Sequence, residues 1–537
     1  MVIKIVLKLG LMQKIIGGLI FLTLITTLSC ENKHTSKYEY SFPAKPNIVL
    51  ILADDMGYGD IQKYNPASHI PTPNLNSLAE EGMRFEDAHT NSAVCTPSRY
   101  GILTGRYAWR TPLKRGVLSE PDNNKPLIKP DQLTLAGLLK KFDYQTACIG
   151  KWHLGIEWAK NEKGESDYNQ PFIYGPNDVG FDYFFGINAA LDMTPYGYYR
   201  NNKPVQPLTG TQEALTFPKF IRAGPKSKDF SHSEALDRIT EEAVDYIEQQ
   251  AKNENPFFLY FALTSPHKPV WPAKRFQGRT TMGPYADFLV QTDWTVGQIL
   301  NTIKVNEIQD NTLVIFTSDN GSFMFRVNPD NNYPFEQEIP SQSFYARKVG
   351  DGHQDHSQNA AVHGYFSHVH RANYRWRGTK ADIWEGGHRV PFIVRWPGRI
   401  EAGTKSNQII CITDVMATLA DITGYSLNEN EGTDSFSFLP VLFNEKSEVT
   451  RAPVVLHSGN GMFAIREDKW KMVFGNGSGG REIPVGKPWE KPYALYDLEI
   501  DPTESTNLID EYPEIANQLT EKMNTIKVNE KSTKSKI

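Results

Sequence analysis

Four side chains with hard oxygen donors stand in two pairs, Asp54-Asp55 and Asp319-Asn320, each directly behind an apolar run. Carboxylate and amide oxygens in this number suit a divalent cation such as Ca²⁺ or Mg²⁺. Asp and Asn also cap helices and make turns, so either pair alone reads as readily as local structure. Two pairs behind two runs favour a metal. Of four cysteines, Cys148 and Cys411 lie in largely apolar stretches and read as buried thiols, whereas Cys95 lies among small and polar residues. Five of the 13 histidines fall between positions 353 and 370. His353-x-x-His356 and His368-x-His370 have a spacing that transition-metal sites use, but no Cys and few carboxylates accompany them. Arg371, Arg375, Trp376 and Arg377 follow closely. Guanidinium forks interleaved with rings suit an anionic sugar, which makes His363, Arg371, Arg375 and Arg377 the candidate substrate contacts.

These groups need a scaffold that brings distant positions together. Residues 47–53 (NIVLILA) form a nearly continuous apolar run, the pattern of a strand buried on both faces. Residues 257–263 and 313–317 read the same way, and 145–149 and 392–394 are shorter candidates. Between them lie helical patterns at 133–141 and at 233–251, the second with Ser233 as its expected cap. Alternating strands and helices predict an α/β fold, a large mixed and mostly parallel sheet covered by helices on both faces. Ligands then gather at the carboxyl ends of the strands, where both acidic pairs fall. Beyond about residue 430 the style changes to short strands at 454–457, 462–465 and 470–474 and a closing helix near 512–526. This predicts a smaller antiparallel sheet with a helix. The expected organisation is a segment 1–30, a linker 31–43, a main domain 44–430 with an insertion at about 321–374, a C-terminal α+β subdomain 431–527 and a tail 528–537.

Composition narrows the function. The chain has 537 residues, of which 39% are hydrophobic and 22% charged, so it is globular and not a disordered polymer. Its 57 basic and 62 acidic side chains leave a net charge of −5, which does not suit a nucleic-acid binder. Four cysteines in this length exclude a disulfide scaffold. Aromatics at 12% exceed what a core needs and suit stacking on sugar rings.

Cys95-Thr96-Pro97-Ser98-Arg99, with Leu103-Thr104-Gly105-Arg106 behind it, resembles the signature of the type I sulfatases. In that family the Cys is oxidised after translation to formylglycine. Further family segments are matched in order: Gly150-Lys151-Trp152-His153, then Ser265-Pro266-His267-Lys268-Pro269, then Lys380 with Glu385-Gly386-Gly387-His388-Arg389-Val390-Pro391. Thr379 replaces the Gly often found before that Lys. The resemblance spans about residues 44–510 and implies the alkaline-phosphatase-like α/β fold.

The resemblance also assigns roles. Asp54, Asp55, Asp319 and Asn320 would hold one Ca²⁺ together with Cys95 as formylglycine. Arg99, Lys151 and His153 would hold and activate the hydrated aldehyde, and His267 and Lys380 would bind sulfate and protonate the leaving oxygen. One hydroxyl of the diol attacks sulfur and the other later expels sulfate, so the nucleophile resets itself. A cation there acts as Lewis acid and template, and fixed ammonium groups meet the developing negative charge. Singly, Lys151 and Lys380 read as surface charges and His153 and His267 as core histidines. Agreement at every position favours the catalytic assignment. The expected substrate is a sulfated oligo- or polysaccharide of ulvan, carrageenan or glycosaminoglycan type. The rival readings are a phosphodiesterase or phosphonate hydrolase of the same fold and an inactive glycan-binding surface protein. A formylglycine-generating or anaerobic sulfatase-maturating enzyme is an implied partner.

The start of the chain reads as an export signal. Lys4, Lys8 and Lys14 precede an apolar stretch at 15–28, shorter than the roughly 20 residues a membrane span takes. Thr27-Leu28-Ser29-Cys30 resembles a bacterial lipobox, with Thr27 where Leu is preferred. It implies a lipoprotein held to the cell envelope, periplasmic or outer-membrane, through acylated Cys30.

Overall fold

Side chains alternate between the two faces of a strand, so a strand with no polar face must be covered twice. Asn47–Asp54 is buried along its whole length, as are Phe257–Pro266 and Thr312–Ser318. The computed structural model describes residues 45–119, 125–215, 220–324, 370–443 and 451–533. Cys30, the four histidines at 353, 356, 363 and 368 and most of the 321–374 insertion therefore lie outside the described residues; of that group of five histidines, only His370 is inside them.

Ten strands form the main sheet, in the order Thr404–Ser406, Met83–Phe85, Phe392–Arg395, Thr312–Ser318, Asn47–Asp54, Phe257–Pro266, Gln145–Lys151, Tyr183–Ile187, Tyr199–Arg200 and Lys203–Pro204. The five from Thr312–Ser318 to Tyr183–Ile187 are parallel. Phe392–Arg395 runs antiparallel against Thr312–Ser318, so the sheet is mixed and mostly parallel. Val49, Ile51, Leu259, Phe261, Val314 and Phe316 pack into one core cluster with residues of Ala235–Gln250 and Pro284–Val305. The intervening Ile48, Leu50, Leu52, Phe258 and Tyr260 are equally buried. Cys95–Thr104, Leu135–Lys140 and Val415–Thr423 form a second group of mutually packed helices. Each fully buried Val, Leu or Ile contributes about 1.5–3 kcal/mol of burial.

Two helix starts differ from expectation. Thr134 is the cap of Leu135–Lys140, its hydroxyl accepting from Gly137 N at 3.0 Å, so Leu133 stays outside. Ser233 does not cap Ala235–Gln250: Glu234 holds that position, because Ser231 turns the chain first and the Ser233 hydroxyl pairs with the Ser231 hydroxyl. The antiparallel sheet near the C-terminus has four strands, Val454–His457, Phe463–Glu467, Trp470–Phe474 and Ala494–Asp497. The last was not read from the sequence. Pro513–Val528 packs on this sheet through Leu519, Met523 and Ile526. Cys148 and Cys411 are buried thiols, and burial raises both, Cys411 to about 12.

Candidate active site

Four parallel strands deliver the predicted groups to one edge of the sheet. Asp54 ends Asn47–Asp54, Lys151 ends Gln145–Lys151, His267 follows Phe257–Pro266, and Asp319-Asn320 follow Thr312–Ser318. Two backbone features make room. A Cβ on Gly150, at φ +113°, would come within 1.9 Å of the Ala262 carbonyl, so only glycine lets the neighbouring strands close beside Lys151. Asp55 and His153 take left-handed conformations, at φ 66° and 57°. Asp and His tolerate that region better than most residues, and such strain gathers where side chains must be aimed.

The charges interlock. Lys151 Nζ lies 2.8 Å from both oxygens of Asp54. Arg99 donates from Nε and Nη2 to Asp319 Oδ2, at 2.9 and 2.7 Å, and from Nη1 to the Lys151 carbonyl at 3.1 Å. Lys380 Nζ reaches Asp55 Oδ1 at 2.5 Å and Cys95 Sγ at 3.3 Å. His267 Nε2 is 3.6 Å from Asp55 Oδ2. Burial alone would raise the Asp54 carboxyl, but Lys151, then His267 and Arg99, hold it below the ordinary carboxylate range. Asp55 is lowered likewise, burial being overridden by Lys380 and His267. Burial would lower Lys380, and Asp55 foremost reverses this and raises it. The imidazole of His153 is driven well below its ordinary value by burial first, then by Lys151 and Arg99, so it stays neutral.

Cys95 opens the helix Cys95–Thr104 and is 2% exposed. Arg99, one turn along, is thereby placed under the same pocket. One ligand atom each from Asp54, Asp55, Cys95 and His267 falls within a 4.8 Å group, a spacing a metal ion could bridge. Asn320 carries a sharper signal. Its Nδ2 donates to Asp55 Oδ1 at 2.7 Å, while its Oδ1, fully buried, meets no hydrogen-bond partner among the described residues. An orphaned buried acceptor costs roughly 1–3 kcal/mol unless something completes it. The 4.8 Å group also contains a thiol and an imidazole nitrogen and leaves Asp319 out, but Asn320 Oδ1 and the Asp54 and Asp55 carboxylates are oxygen donors of the kind a hard cation takes.

The substrate candidates separate from this group. Arg377 is committed elsewhere: it donates to Glu482 and to the Glu504 carbonyl and stacks on Trp384, 4.0 Å from the ring. Arg375 is exposed and lies over Trp376, on a cavity that holds none of the residues around Cys95. Arg371 is half-buried, with its carbonyl against Gly59. His370, one of the paired histidines, binds Asp60 Oδ1 at 2.7 Å. Of these cations, Arg377 turns to Glu482 and the Glu504 carbonyl, away from Cys95.

Asp192 was missed. It is buried, accepts from Arg222 Nη1 at 2.8 Å and lies 3.6 Å from Lys268 Nζ, while its Oδ1 has no partner among the described residues. Burial would raise it, but Lys268, then His267 and Arg222, hold it low. No motif marks it. Its position just behind Tyr183–Ile187, at the same sheet edge, is the one signal the sequence offered.

Comparison with known proteins shows the family and the fold. The sulfatase family profile matches residues 46–425, and that of the N-sulphoglucosamine sulphohydrolase C-terminal region matches 373–529. An N-acetylgalactosamine-6-O-sulfatase of Bacteroides thetaiotaomicron is 30% identical over 94% of this chain and 97% of its own. The mouse N-acetylgalactosamine-6-sulfatase is 29% identical over 80% of this chain and 72% of its own. A sulfatase structure from work on glycosaminoglycan metabolism by B. thetaiotaomicron superimposes with a TM-score of 0.75, at 29% identity, over 90% of this chain and 99% of its own.

Proposed function

The chain belongs to the sulfatase family of sulfuric ester hydrolases, and from that premise we propose that it removes sulfate from a glycosaminoglycan-type saccharide, with Cys95 converted to formylglycine and one Ca²⁺ held by Asp54, Asp55, Asp319, Asn320 and that residue. The substrate class is supported by the names of its relatives, N-acetylgalactosamine-6-sulfatases among them. The observation that carries the site assignment is Cys95 Sγ at a helix start, 3.3 Å from Lys380 Nζ and grouped with Asp54, Asp55 and His267.

When bound, the cation supplies Lewis acidity toward a sulfate oxygen, and formylglycine supplies a hydrated aldehyde as nucleophile. The side chains do the rest. Arg99 and Lys151 fix Asp319 and Asp54, so the oxygen donors are in place before substrate arrives. Lys380 holds positive charge next to the nucleophile, where sulfate oxygens must lie. His267 binds the Lys268 carbonyl through Nδ1, which leaves Nε2 as the atom that exchanges a proton with the leaving oxygen. His153 binds the Leu118 carbonyl through Nε2 and keeps a neutral Nδ1, without a partner among the described residues, as a proton acceptor. The three carboxylates of Asp54, Asp55 and Asp319 face the three cations Arg99, Lys151 and Lys380. A divalent ion added to that balanced set leaves a net positive pocket, complementary to a sulfate ester.

Maturation requires a formylglycine-generating or anaerobic sulfatase-maturating enzyme as partner. Attachment to the envelope through acylated Cys30 is part of the same proposal and rests on the lipobox-like sequence. No helix of the described residues is long and apolar enough to cross a membrane. Globomycin should block processing, and Cys30→Ser should release the protein into the aqueous phase. Sulfate release from 6-sulfated N-acetylgalactosamine by matured protein tests the function. Absence of release from every sulfated saccharide tried, with formylglycine present at position 95, would overturn it.

A further inference from the structure

A second pocket, of about 440 Å³, lies where residues near the edge of the main sheet meet the C-terminal sheet. Arg375, Arg389, Arg466 and Lys469 line it, with Asp87, Asp468 and Glu499 as the acidic lining residues. It shares no lining residue with the group around Cys95.

Lys469 pairs with Asp497 at 2.7 Å and Arg389 also donates to Glu385 and to the Glu86 carbonyl, so the unused donors are chiefly those of Arg466. Asp87 serves two guanidinium groups at once, Arg389 Nη1 at 3.0 Å and Arg466 Nη2 at 3.3 Å, and also His89. Burial would raise its carboxyl, yet Arg389 first among its neighbours lowers it to about 2. That single bond to Asp87 leaves the rest of the Arg466 fork idle. Arg466 is only 5% exposed, and its Nε and Nη1 meet no hydrogen-bond partner among the described residues; nor does Arg389 Nε. Buried charged donors without acceptors cost more than neutral ones, and three of them on the two guanidinium groups that share Asp87 call for an acceptor. A planar fork with free N–H groups matches an oxyanion of sulfate or carboxylate geometry.

The rest of the lining narrows the ligand. The Trp376 ring, buried in the main core, lies 3.8 Å from the Arg389 guanidinium and 4.9 Å from that of Arg375, so the indole holds both cations in place beside the pocket. The amides of Asn407 and Gln408 also line the pocket and can pair with hydroxyl groups. Amide and guanidinium together suit a hydroxylated unit that bears an oxyanion, such as a sulfated or uronate sugar. We propose that this pocket is a second, non-catalytic saccharide subsite, holding a sulfated or uronate-bearing unit of a polymer. It rests on the reading of the catalytic site as one for sulfated glycans. It gives Arg375 the anion-binding role that its sequence context predicts, at a place remote from the nucleophile.

The test measures equilibrium binding to full-length Cys95→Ala protein, in which nothing is turned over. The probes are a chondroitin 6-sulfate hexasaccharide, its desulfated form and its carboxyl-reduced form. Arg466→Gln should weaken hexasaccharide binding by about 10-fold or more, the effect of losing a hydrogen bond to a charged group. Because Arg466 is buried, Arg375→Ala combined with Lys469→Ala, both exposed, provides a second variant that keeps the fold. It should weaken binding in the same direction with unaltered melting. Loss of affinity on desulfation identifies sulfate as the bound oxyanion, and loss on carboxyl reduction identifies the uronate. Hexasaccharide binding that stays within about twofold in the exposed double variant would overturn the proposal. Turnover by the unsubstituted protein is a separate readout, so failure of the sulfatase reading and failure of the second subsite are distinguishable.

Discussion

The group around Cys95 and the group around Lys471 contain nearly the same chemistry. Both are buried, both mix carboxylates, histidine and ammonium, and both bring three or more metal-ligating atoms within 4.8 Å, His89, Glu385 and His388 being the second set. They differ in what is left unpaired. Lys471 Nζ lies 3.1 Å from Glu385, 2.8 Å from Glu504 and 3.1 Å from His388 Nε2. His388 Nδ1 meets His89 Nδ1, and His89 Nε2 meets Asp87. Both histidines are used at both nitrogens, and the cation is built in. Around Cys95, Asn320 Oδ1 and His153 Nδ1 have no partner among the described residues. A buried polar group is tolerated when the fold satisfies it and points to a ligand when the fold does not. The first group therefore reads as the active site and the second as a joint between the catalytic sheet and the C-terminal sheet.

The largest expected effect is on the nucleophile. Cys95→Ala should lower sulfate-ester turnover by a factor on the order of 10⁴ or more and leave melting unaltered. Mass spectrometry of active wild-type protein should find the peptide around position 95 about 18 Da lighter than its thiol form. Substantial turnover by Cys95→Ala would remove the contrast between the two groups.

Metal content sharpens it further. Chelation should abolish activity, and Ca²⁺ should restore it better than Zn²⁺, because the donors are oxygen. One ion per chain is expected by elemental analysis, lost in Asp319→Ala and kept in Glu385→Gln. Two ions per chain, one of them dependent on His89 or Glu385, would show that the joint is a metal site as well.

The joint should respond in stability. Lys471→Met leaves Glu385 and Glu504 buried without their ammonium and should cost about 3–5 kcal/mol in denaturant unfolding. Turnover per folded molecule should stay within a few-fold. A variant as stable as wild type but inactive would place Lys471 in the catalytic machinery.

The smallest effect is a pH dependence on the C-terminal sheet. Burial, then Lys114, lowers the His457 imidazole from 6.5 to about 4. A depressed histidine contributes stability that is present above the unfolded value of 6.5 and is lost as pH falls through 4. The interval corresponds to about 3 kcal/mol. His457→Phe should reduce the slope of stability against pH by one proton between those values. An unchanged slope would show that His457 is already protonated in the folded protein.

Much of the active site could be read from local sequence. The apolar run at 47–53 ends in Asp54-Asp55 because a strand buried on both faces admits no polar residue until its end. Cys95 and Arg99 share one helix, and Asp319-Asn320 follow the next buried strand. Arg375 and Arg377, just behind the insertion, were read as substrate contacts because guanidinium groups and rings interleave there. Arg377 instead pairs with Glu482, 105 positions away, and Arg375 joins the pocket of Arg466. Asp192 carried no motif, since its partner Arg222 lies 30 positions further on and its role depends on where the strand before it ends.

By itself, then, the sequence determined which residues begin and end the buried strands, and which bring a thiol, oxygen donors and cations to the proposed site. Those are properties of runs a few residues long, set by hydrophobic periodicity and short motifs. Only the tertiary structure decided how the charges pair. Lys380 reaches Cys95 across 285 positions and Asp55 across 325, and Glu385 meets Lys471 across 86. Coulomb attraction and hydrogen bonding act over a few ångströms in space and are indifferent to distance along the chain. The same lysine, histidine and carboxylate types therefore became an unfinished site in one place and a closed joint in the other.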